Sequence, residues 1–417
     1  SDDESTFVPN CAQTDASSEN PSVPDGQAVI PPDDCPVLEL IPPDPGNADL
    51  IDKSFGTSSS GGTKSVIARS GDTIPSTLRW STGGYSNLER VEITDIAAPE
   101  TTAITASLYN AFDLTRVNSI TTATDPLITY DAVQAVQLYN GTAWVTAANN
   151  PCNPLCVGQF PGMNLTTAER ASTVGVKLTF VESPDRAAAS AGDPTAPPVG
   201  SGVARSFAND RPVTLVWQVR DERRSDGTAV LGDELYNLTT DGVVRNTANA
   251  TGFPADGGDP LSANDQDDVI IVDVPLTTTT DKNWQGGPLA VPNDPDILPS
   301  QYPLSRVTVT TRNTTPAKID MLQITDTAPG SVTDRRQDPF QAFTFNNFVR
   351  IDQPSGTTGT VVTLSCFGGG PIELTRTEAL ALTPNTMPCD VSGVQVTYTG
   401  RIASNAAGVV EFDLRLR

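Results

Sequence analysis

Apolar and polar residues alternate in many short stretches of the chain, and this period of two predicts strands. Residues 77–80 and 306–309 are clear examples, in which every second residue is apolar. Thr, Val, Pro and Gly are frequent and long heptads are absent, which favours short strands joined by turns. A chain of 417 residues is too long for one ordinary sandwich and sufficient for two. The pattern therefore predicts an all-β protein with two sandwich cores.

The same series of short motifs occurs twice, in the same order. Residues 52–55 match 281–284, and by the same offset of 229 we expect Leu78 and Trp80 to correspond to Val307 and Val309. After two inserted residues, 91–95 match 322–326. Three more matches follow: 109–112 with 345–348, 175–180 with 393–398, and 213–220 with 410–417. A collinear series of this length indicates a tandem repeat.

The repeat is out of phase with the chain. Residues 7–12 match 243–248, which close the first copy, and the acidic and apolar stretch at 31–40 matches the tail of that copy. We therefore divide the chain into a closing strand with its tail (1–48), a complete module (49–275) and a module lacking its last strand (276–417). The first copy also has a Gly-, Ala- and Pro-rich insertion between Ala187 and Val203, predicted to be a surface loop.

Charge and composition exclude several classes of function. With 26 basic and 50 acidic residues the net charge is -24, which disfavours nucleic acid and anionic membranes as partners. No apolar run approaches the roughly 18 residues of a membrane span, so we expect no membrane insertion. No leader precedes Ser1, so we expect a mature chain or a fragment. The absence of histidine removes Ser-His-Asp, Cys-His and most zinc mechanisms, and no carboxylate pair is placed in an aromatic cleft. We expect no enzyme.

The six cysteines predict three local disulfides. The expected pairs are Cys11 with Cys35, Cys152 with Cys156, and Cys366 with Cys389. Six cysteines allow about 15 pairings, and buried free thiols are the alternative. Disulfides would indicate an oxidising, extracellular location.

An acidic segment lies where the first module ends. Asp265, Asp267 and Asp268 are candidate oxygen ligands for calcium at a junction between modules. The twelve-residue calcium loop of helix-loop-helix proteins is absent, and a solvated acidic linker is the alternative. We expect no other cofactor.

The order of the motifs resembles a known group of surface proteins. Asp-Lys-x-aromatic, an alternating strand, Ile-Thr-Asp and a late Asn-Thr-Ala resemble the conserved-repeat modules of large bacterial and archaeal cell-surface proteins. They are also similar to the A-type collagen-adhesin and pilin domains that form internal isopeptide bonds. The resemblance covers nearly the whole chain as two copies, and only the order of the short motifs makes it specific. It implies tandem immunoglobulin-like β-sandwich modules, the second of which lacks its closing strand.

In the isopeptide-forming families, a lysine on the first strand is joined to an asparagine on the last strand, beside an aspartate. The matching residues are Lys53, Asn246 and Asp95. A desolvated, neutral lysine amine could attack the Asn246 carboxamide, while a protonated Asp95 polarises the carbonyl and shuttles the proton to the departing ammonia. In the alternative, Lys53 extends to solvent and Asn246 opens a turn. Lys64 is a rival lysine, but the second copy aligns Lys282 with Lys53 and nothing with Lys64.

The second module has Lys282 and Asp326 but no Asn-Thr-Ala strand before Arg417. Asn10, in the matching strand at the start of the chain, is the candidate partner. A sandwich missing one strand needs another to cover its edge. We therefore expect an extracellular subunit of a surface filament or stalk that binds copies of itself head to tail by donating its N-terminal strand, with Lys-Asn bonds as reinforcement. The alternative is a ligand-binding surface adhesin, cut from a longer array.

Overall fold

The computed structural model describes residues 6–9, 37–40, 50–56, 64–85, 87–96, 104, 107–232, 242–286, 289–327 and 339–417. Almost all of its regular structure is strand, arranged as two modules that follow a separate two-stranded ribbon. None of the described helices is long and apolar enough to cross a membrane.

The ribbon consists of β1 (Thr6–Pro9) and β2 (Val37–Leu40). Module 1 contains the strands β3 (Ile51–Phe55), β4 (Ser65–Ile67), β5 (Thr73–Trp80), β6 (Leu88–Ile96), β7 (Phe112–Val117), β8 (Asp131–Gln134), β9 (Gln137–Tyr139), β10 (Trp144–Thr146), β11 (Leu155–Val157), β12 (Met163–Asn164), β13 (Gly175–Glu182), β14 (Arg211–Val219), β15 (Val243–Pro254) and β16 (Leu261–Val272). Its helices are α1 (Leu108–Ala111), α2 (Thr167–Ser172), α3 (Arg186–Ala189) and a 3-10 turn (Pro126–Tyr130).

Module 2 contains β17 (Thr278–Gln285), β18 (Leu304–Asn313), β19 (Ile319–Thr327), β20 (Phe343–Asp352), β21 (Thr357–Cys366), β22 (Ile372–Thr375), β23 (Val391–Ile402) and β24 (Ala407–Leu416). Its helices are α4 (Pro339–Ala342), α5 (Arg376–Leu380) and a 3-10 turn (Pro299–Gln301).

Module 1 is a sandwich of two sheets. One sheet has the order β12-β7-β14-β5-β3, and the other runs β10-β9-β13-β6-β15-β16-β4, with β8 and β11 attached beside β13. The alternation along β5 places Ile74, Leu78 and Trp80 inside, all at most 3% exposed. Trp80 packs against Phe180 from the opposite sheet at a ring separation of 4.5 Å.

Module 2 is a smaller sandwich with a core of its own. Its sheets have the orders β17-β18-β24-β20 and β19-β23-β21-β22. Phe345, Phe348 and Phe412 cluster between them, with ring separations of 4.9 to 6.4 Å. The prediction of an all-β fold made of tandem sandwich modules is confirmed.

Strand pairing corrects part of the repeat alignment. Leu78 pairs with Val213, and Val309 pairs with Val410. Leu78 therefore corresponds to Val309, not to Val307, and the two-residue shift falls before β18. The match of 109–112 to 345–348 is also wrong, because α1 and α4 precede equivalent strands and differ by 231 in number. Alternating strands carry similar residue types at every second position, so a short motif can be aligned in more than one way. The pairing of each strand with its neighbours decides which alignment is right.

The two modules differ at one sheet edge. In module 1, β15 pairs with β6 on one side and with β16 on the other. In module 2, β19 takes the place of β6, and within the part of the chain that the structure describes it pairs only with β23. The ribbon β1–β2 stands apart as its own two-stranded sheet. It pairs Val8 with Leu38, just as β15–β16 pairs Val244 with Val269.

The modules meet through a polar joint. The guanidinium of Arg69 donates to Asp320, whose carboxylate also pairs with Arg401. Arg401 pairs with Glu222 at 2.7 Å. The Lys318 backbone N–H donates to the Arg69 carbonyl at 3.1 Å. Module 1 contributes the turn before β5 and the segment after β14, and module 2 contributes the start of β19 and the end of β23.

Two of the predicted disulfides are present. Cys152 is bonded to Cys156, and Cys366 is bonded to Cys389. Cys11 and Cys35 lie outside the described residues.

Candidate functional site

The first strand of module 1 directs a lysine into the core. Burial alternates along β3, so that Ile51, Lys53 and Phe55 share the inward face. The Lys53 side chain has no exposed surface. A lysine at a core-facing position of a strand needs a partner, because an unpaired buried charge is costly.

Asp95 and Asn246 provide that partner from the opposite sheet. Asp95 lies next to the end of β6 and is fully buried. Its Oδ2 atom forms an ion pair with Nζ of Lys53. Asn246, near the start of β15 and only 4% exposed, donates from Nδ2 to the same Oδ2 atom at 2.8 Å. The structure thus brings together the three residues that the resemblance implies.

Burial controls the protonation of the lysine. Desolvation lowers the pKa of Lys53 below its ordinary value, although Asp95 beside it acts in the opposite direction. The Phe55 ring contributes to the apolar surroundings, with its centroid 5.4 Å from Nζ. A lowered pKa raises the fraction of neutral amine, which is the nucleophilic form.

The carboxyl group of Asp95 is placed to move protons. Both nitrogens that a condensation would involve, Nζ of Lys53 and Nδ2 of Asn246, are hydrogen-bonded to one oxygen. The second oxygen, Oδ1, is buried and has no hydrogen-bond partner within the described structure. The arrangement can accept a proton from the amine and deliver one to the departing amide nitrogen.

Tyr109 completes the wall of the site. Its hydroxyl donates to the backbone carbonyl of Asp95 at 2.8 Å, and its ring packs edge-on against Trp217. Burial raises the pKa of Tyr109 well above its ordinary value, so the hydroxyl remains a donor. In module 2, Phe340 of α4 takes the corresponding position and has no hydroxyl. The sequence did not identify Tyr109, because the incorrect alignment concealed this difference.

Lys64, the rival lysine, lies elsewhere. Its Nζ atom pairs with both oxygens of Asp267, at 2.5 and 2.6 Å, and its side chain is 40% exposed. Lys53, and not Lys64, therefore lies beside Asp95 and Asn246.

The candidate calcium ligands are occupied by the protein. Asp265 accepts the Lys53 backbone N–H at 2.7 Å, and Asp267 accepts that of Phe55 at 2.8 Å. Asp268 lies on the opposite face of β16 and pairs with Arg245. The described residues contain no group of three His, Cys, Asp or Glu side chains that could hold a metal ion. The calcium prediction is therefore not supported, because alternation along the strand separates the carboxylates.

Module 2 contains an incomplete version of the site. Lys282 pairs with Asp326 at 2.7 Å, but its side chain is 34% exposed, whereas that of Lys53 is buried. Trp284 is 38% exposed, whereas its counterpart Phe55 is 1% exposed. All eight residues of β17 are exposed. Asn10, the predicted partner of Lys282, lies outside the described residues.

A second buried charge network lies in module 1, and no sequence motif predicts it. Arg186 and Arg211 pair with Asp131 at 2.9 and 2.8 Å, and Arg211 also pairs with Asp125 at 3.0 Å. All four side chains are at most 1% exposed. Two cations and two anions balance, and this balance allows their burial.

Comparisons with known proteins give structural likeness only. No protein-family model and no curated protein matches the chain. Among solved structures, it is similar to the C-terminal domain of the antigen I/II-family protein AspA of Streptococcus pyogenes, with 10% identity over 89% of this chain and 92% of that one, and a TM-score of 0.24. The serine-rich repeat protein Srr2 of Streptococcus agalactiae shows 8% identity over 88% and 84% of the two chains, and a TM-score of 0.22. The collagen-binding domain of the surface protein RspB of Erysipelothrix rhusiopathiae shows 9% identity over 88% and 82%, and a TM-score of 0.13. Similarities of this size carry no argument about function.

Proposed function

We propose that the protein is an extracellular structural subunit that joins copies of itself head to tail into a surface filament or stalk. Support comes from the open edge of β19 and from the detached ribbon β1–β2, whose strands pair antiparallel, as β15 and β16 do. In module 1, β15 and β16 form the corresponding ribbon: β15 pairs with the β6 edge, and the chain continues from β16 into β17 of the next module. By the same connection, β1–β2 would complete a module that precedes β3. Module 2 of a neighbouring copy has the edge to receive it.

Exposure in module 2 supports the same direction of assembly. The lysine and aromatic residue of β3 are buried because β15 and β16 lie over them, whereas Lys282 and Trp284 are exposed. A donated ribbon would bury both side chains. It would convert the Lys282–Asp326 pair into a desolvated pair like that of Lys53 and Asp95.

We propose that covalent bonds reinforce both modules. In module 1, Nζ of Lys53 forms a bond to Cγ of Asn246, the Cγ–Nδ2 bond breaks, and the nitrogen leaves as ammonia with protons transferred through Asp95. No oxidant or cofactor is needed. Between copies, Lys282 and Asn10 would react in the same way beside Asp326. The chemistry occurs once per site, so the proposed role involves no catalytic turnover.

Deletion of residues 1–12 tests the assembly. We expect the full chain to form filaments in negative-stain electron microscopy and the shortened chain to form none. Boiling in detergent and reductant should leave ladders of the full chain, which Lys282→Arg removes and Lys64→Arg leaves unchanged. Filaments of the shortened chain would contradict strand donation. Filaments without ladders would contradict only the covalent bond between copies.

A ligand-binding surface adhesin, as a part of a longer array, is the second candidate. The observation in its favour is an apolar groove of about 510 Å³ beside the insertion of module 1, lined by Tyr130, Pro198 and Phe207 among others. Exposed aromatic groups at a groove are typical of binding surfaces. Binding of a foreign ligand that Phe207→Ser abolishes, by a chain that does not self-associate, would favour this role.

A further inference from the structure

The insertion of module 1 lies on a particular face of the sandwich. It joins β13 to β14 as residues 183–210, whereas residues 403–406 make the corresponding connection from β23 to β24. The insertion returns to the start of β6, where Val203 N–H donates to the Leu88 carbonyl at 2.8 Å. In module 2, the start of β19 and the end of β23 form the face that meets module 1. The insertion therefore occupies the equivalent face of module 1, here called the outer face.

Internal bonds hold the insertion in a defined shape. Glu182 accepts the N–H groups of Gly200 and Gly202 at 2.7 and 2.8 Å. The buried guanidinium of Arg186 donates to the carbonyls of Tyr130 and Gly202 at 2.6 and 2.8 Å. The Tyr130 hydroxyl donates to Asp193 at 2.8 Å. The loop is thus fixed by polar contacts and by the buried Val203, whereas Val199 and Phe207 of the same loop stay exposed.

Those apolar side chains project from the outer face. Phe207 is 72% exposed and Val199 is 64% exposed. The Arg205 guanidinium lies 4.4 Å from the Phe207 ring centroid and supports the ring in position. A rigidly presented aromatic group beside an apolar groove marks an interaction surface.

The end of module 2 that points away from module 1, here called the far end, exposes an apolar side chain. Its position in module 2 corresponds to that of the module 1 turn at the joint. Module 1 meets module 2 through the turn before β5, which carries Arg69. The turn before β18, residues 297–301, occupies the corresponding position at the far end of module 2. Its Leu298 is 61% exposed. The turn is held by two reciprocal bonds between Leu298 and Gln301, of 2.8 and 3.0 Å.

We propose that the outer face of module 1 docks on the far end of module 2 of a second copy, with Leu298 against the groove beside Phe207. The contact rests on the head-to-tail order proposed above and repeats the joint between modules 1 and 2 of one chain. The proposed contact between copies is apolar, whereas the joint within one chain is held by the Arg69–Asp320 ion pair. The tail that carries β1–β2 enters module 1 at the same face, since Ser81 N–H donates to the Leu50 carbonyl at 3.1 Å. A ribbon leaving there is next to the module that it would complete.

Net charge predicts how salt affects this contact. Two copies that each carry a charge of -24 repel one another, and salt screens this repulsion. An apolar contact should therefore strengthen as ionic strength rises, whereas a joint of ion pairs should weaken.

Sedimentation velocity of the full chain, over a range of concentration and salt, tests the contact. We expect Phe207→Ser and Leu298→Ser each to weaken association by roughly tenfold or more. The control is Val361→Ser, at a residue that is 42% exposed on β21. A mixture of Phe207→Cys and Leu298→Cys chains should form an intermolecular disulfide under mild oxidation. As a control, either of these variants mixed with Val361→Cys chains should form none. Association and cross-linking unaffected by these changes would overturn the inference.

Deletion of residues 1–12 separates this contact from strand donation. If the deletion abolishes filaments and Phe207→Ser does not weaken assembly, donation stands and the face contact fails. If Phe207→Ser abolishes assembly and the deletion has no effect, the face contact stands and donation fails. If the shortened chain retains a weak association that Phe207→Ser removes, both stand.

Discussion

Nδ2 of Asn246 lies 2.8 Å from Oδ2 of Asp95, the oxygen that also pairs with Nζ of Lys53. One carboxyl oxygen therefore contacts both the nucleophilic nitrogen and the nitrogen that would leave. The lysine and the asparagine come from different sheets, so a bond between them would join the two layers of the sandwich.

Intact-mass measurement under reducing conditions checks this bond. We expect the protein to be lighter than its sequence by one ammonia for the module 1 bond, with the full sequence mass restored in Lys53→Arg, Asn246→Ala and Asp95→Asn. Lys64→Arg is the matched control, because its amine pairs with Asp267 and should leave the deficit in place. A full sequence mass in the unsubstituted protein would mean that the three residues form only a structural hydrogen-bond network.

The unreacted site should make stability depend on pH. In Asn246→Ala the amine stays free, and burial lowers the pKa of Lys53 below its ordinary value of 10.5. Between the lowered pKa and 10.5, the unfolded chain holds one more proton than the folded protein. The free energy of unfolding should therefore rise with pH in this window, by about 1.4 kcal/mol per pH unit. Below the lowered pKa both states are protonated, and the full cost of burying the charge remains.

Urea unfolding of Asn246→Ala across that pH range measures the slope. The double variant Lys53→Met with Asn246→Ala has no lysine at position 53. The rise of its free energy of unfolding with pH should therefore lack the part that comes from Lys53. Equal slopes in the two proteins would show that the pKa of Lys53 is the same in the folded and the unfolded state.

The two disulfides should differ in their effect on stability. Cys366 and Cys389 are 23 residues apart and close a long loop in module 2, whereas Cys152 and Cys156 are 4 apart. In the chain-entropy view, the longer loop gives the larger restriction of the unfolded state. Replacing both Cys366 and Cys389 by Ser should destabilise module 2 by about 3 kcal/mol, and the same change at the short loop should cost less. Calorimetry of each double variant provides the comparison, and an equal loss would contradict the loop-length argument.

Removal of Arg186 should destabilise module 1. Its guanidinium is buried, pairs with Asp131 and holds the insertion. Arg186→Met leaves part of a buried carboxylate uncompensated, which should cost about 3–5 kcal/mol. Arg116→Met, at an exposed position of β7, should change the free energy of unfolding by only about 0.5 kcal/mol or less. Urea unfolding of both variants tests the assignment, and a near-neutral Arg186→Met would show that the network contributes no net stability.

Sequence pattern predicted the all-β sandwich fold, because alternation fixes which side of each strand faces inward and the motif order fixes which strands recur. The grouping of Lys53, Asp95 and Asn246 came from the resemblance to isopeptide-forming modules, and the structure places the three side chains together. Sequence pattern was wrong about the register of β18 and β20, because local motifs do not encode cross-strand pairing. The calcium prediction was not supported for a related reason: the aspartates of β16 bind backbone groups of a strand that is distant in sequence.

The carboxylates of Asp265 and Asp267 make the first-strand edge of module 1 different from that of module 2. They accept the outward N–H groups of β3 that would otherwise remain free to pair with any passing strand. On β17, the corresponding groups of Lys282 and Trp284 receive no such acceptor from the residues that the structure describes. The β3 edge of module 1 is therefore blocked to strand addition at these two groups, whereas the β17 edge of module 2 is not. In the proposed filament, a free module 2 edge would lie at one end and a free β1–β2 ribbon at the other, which would give the fibre a direction along its axis.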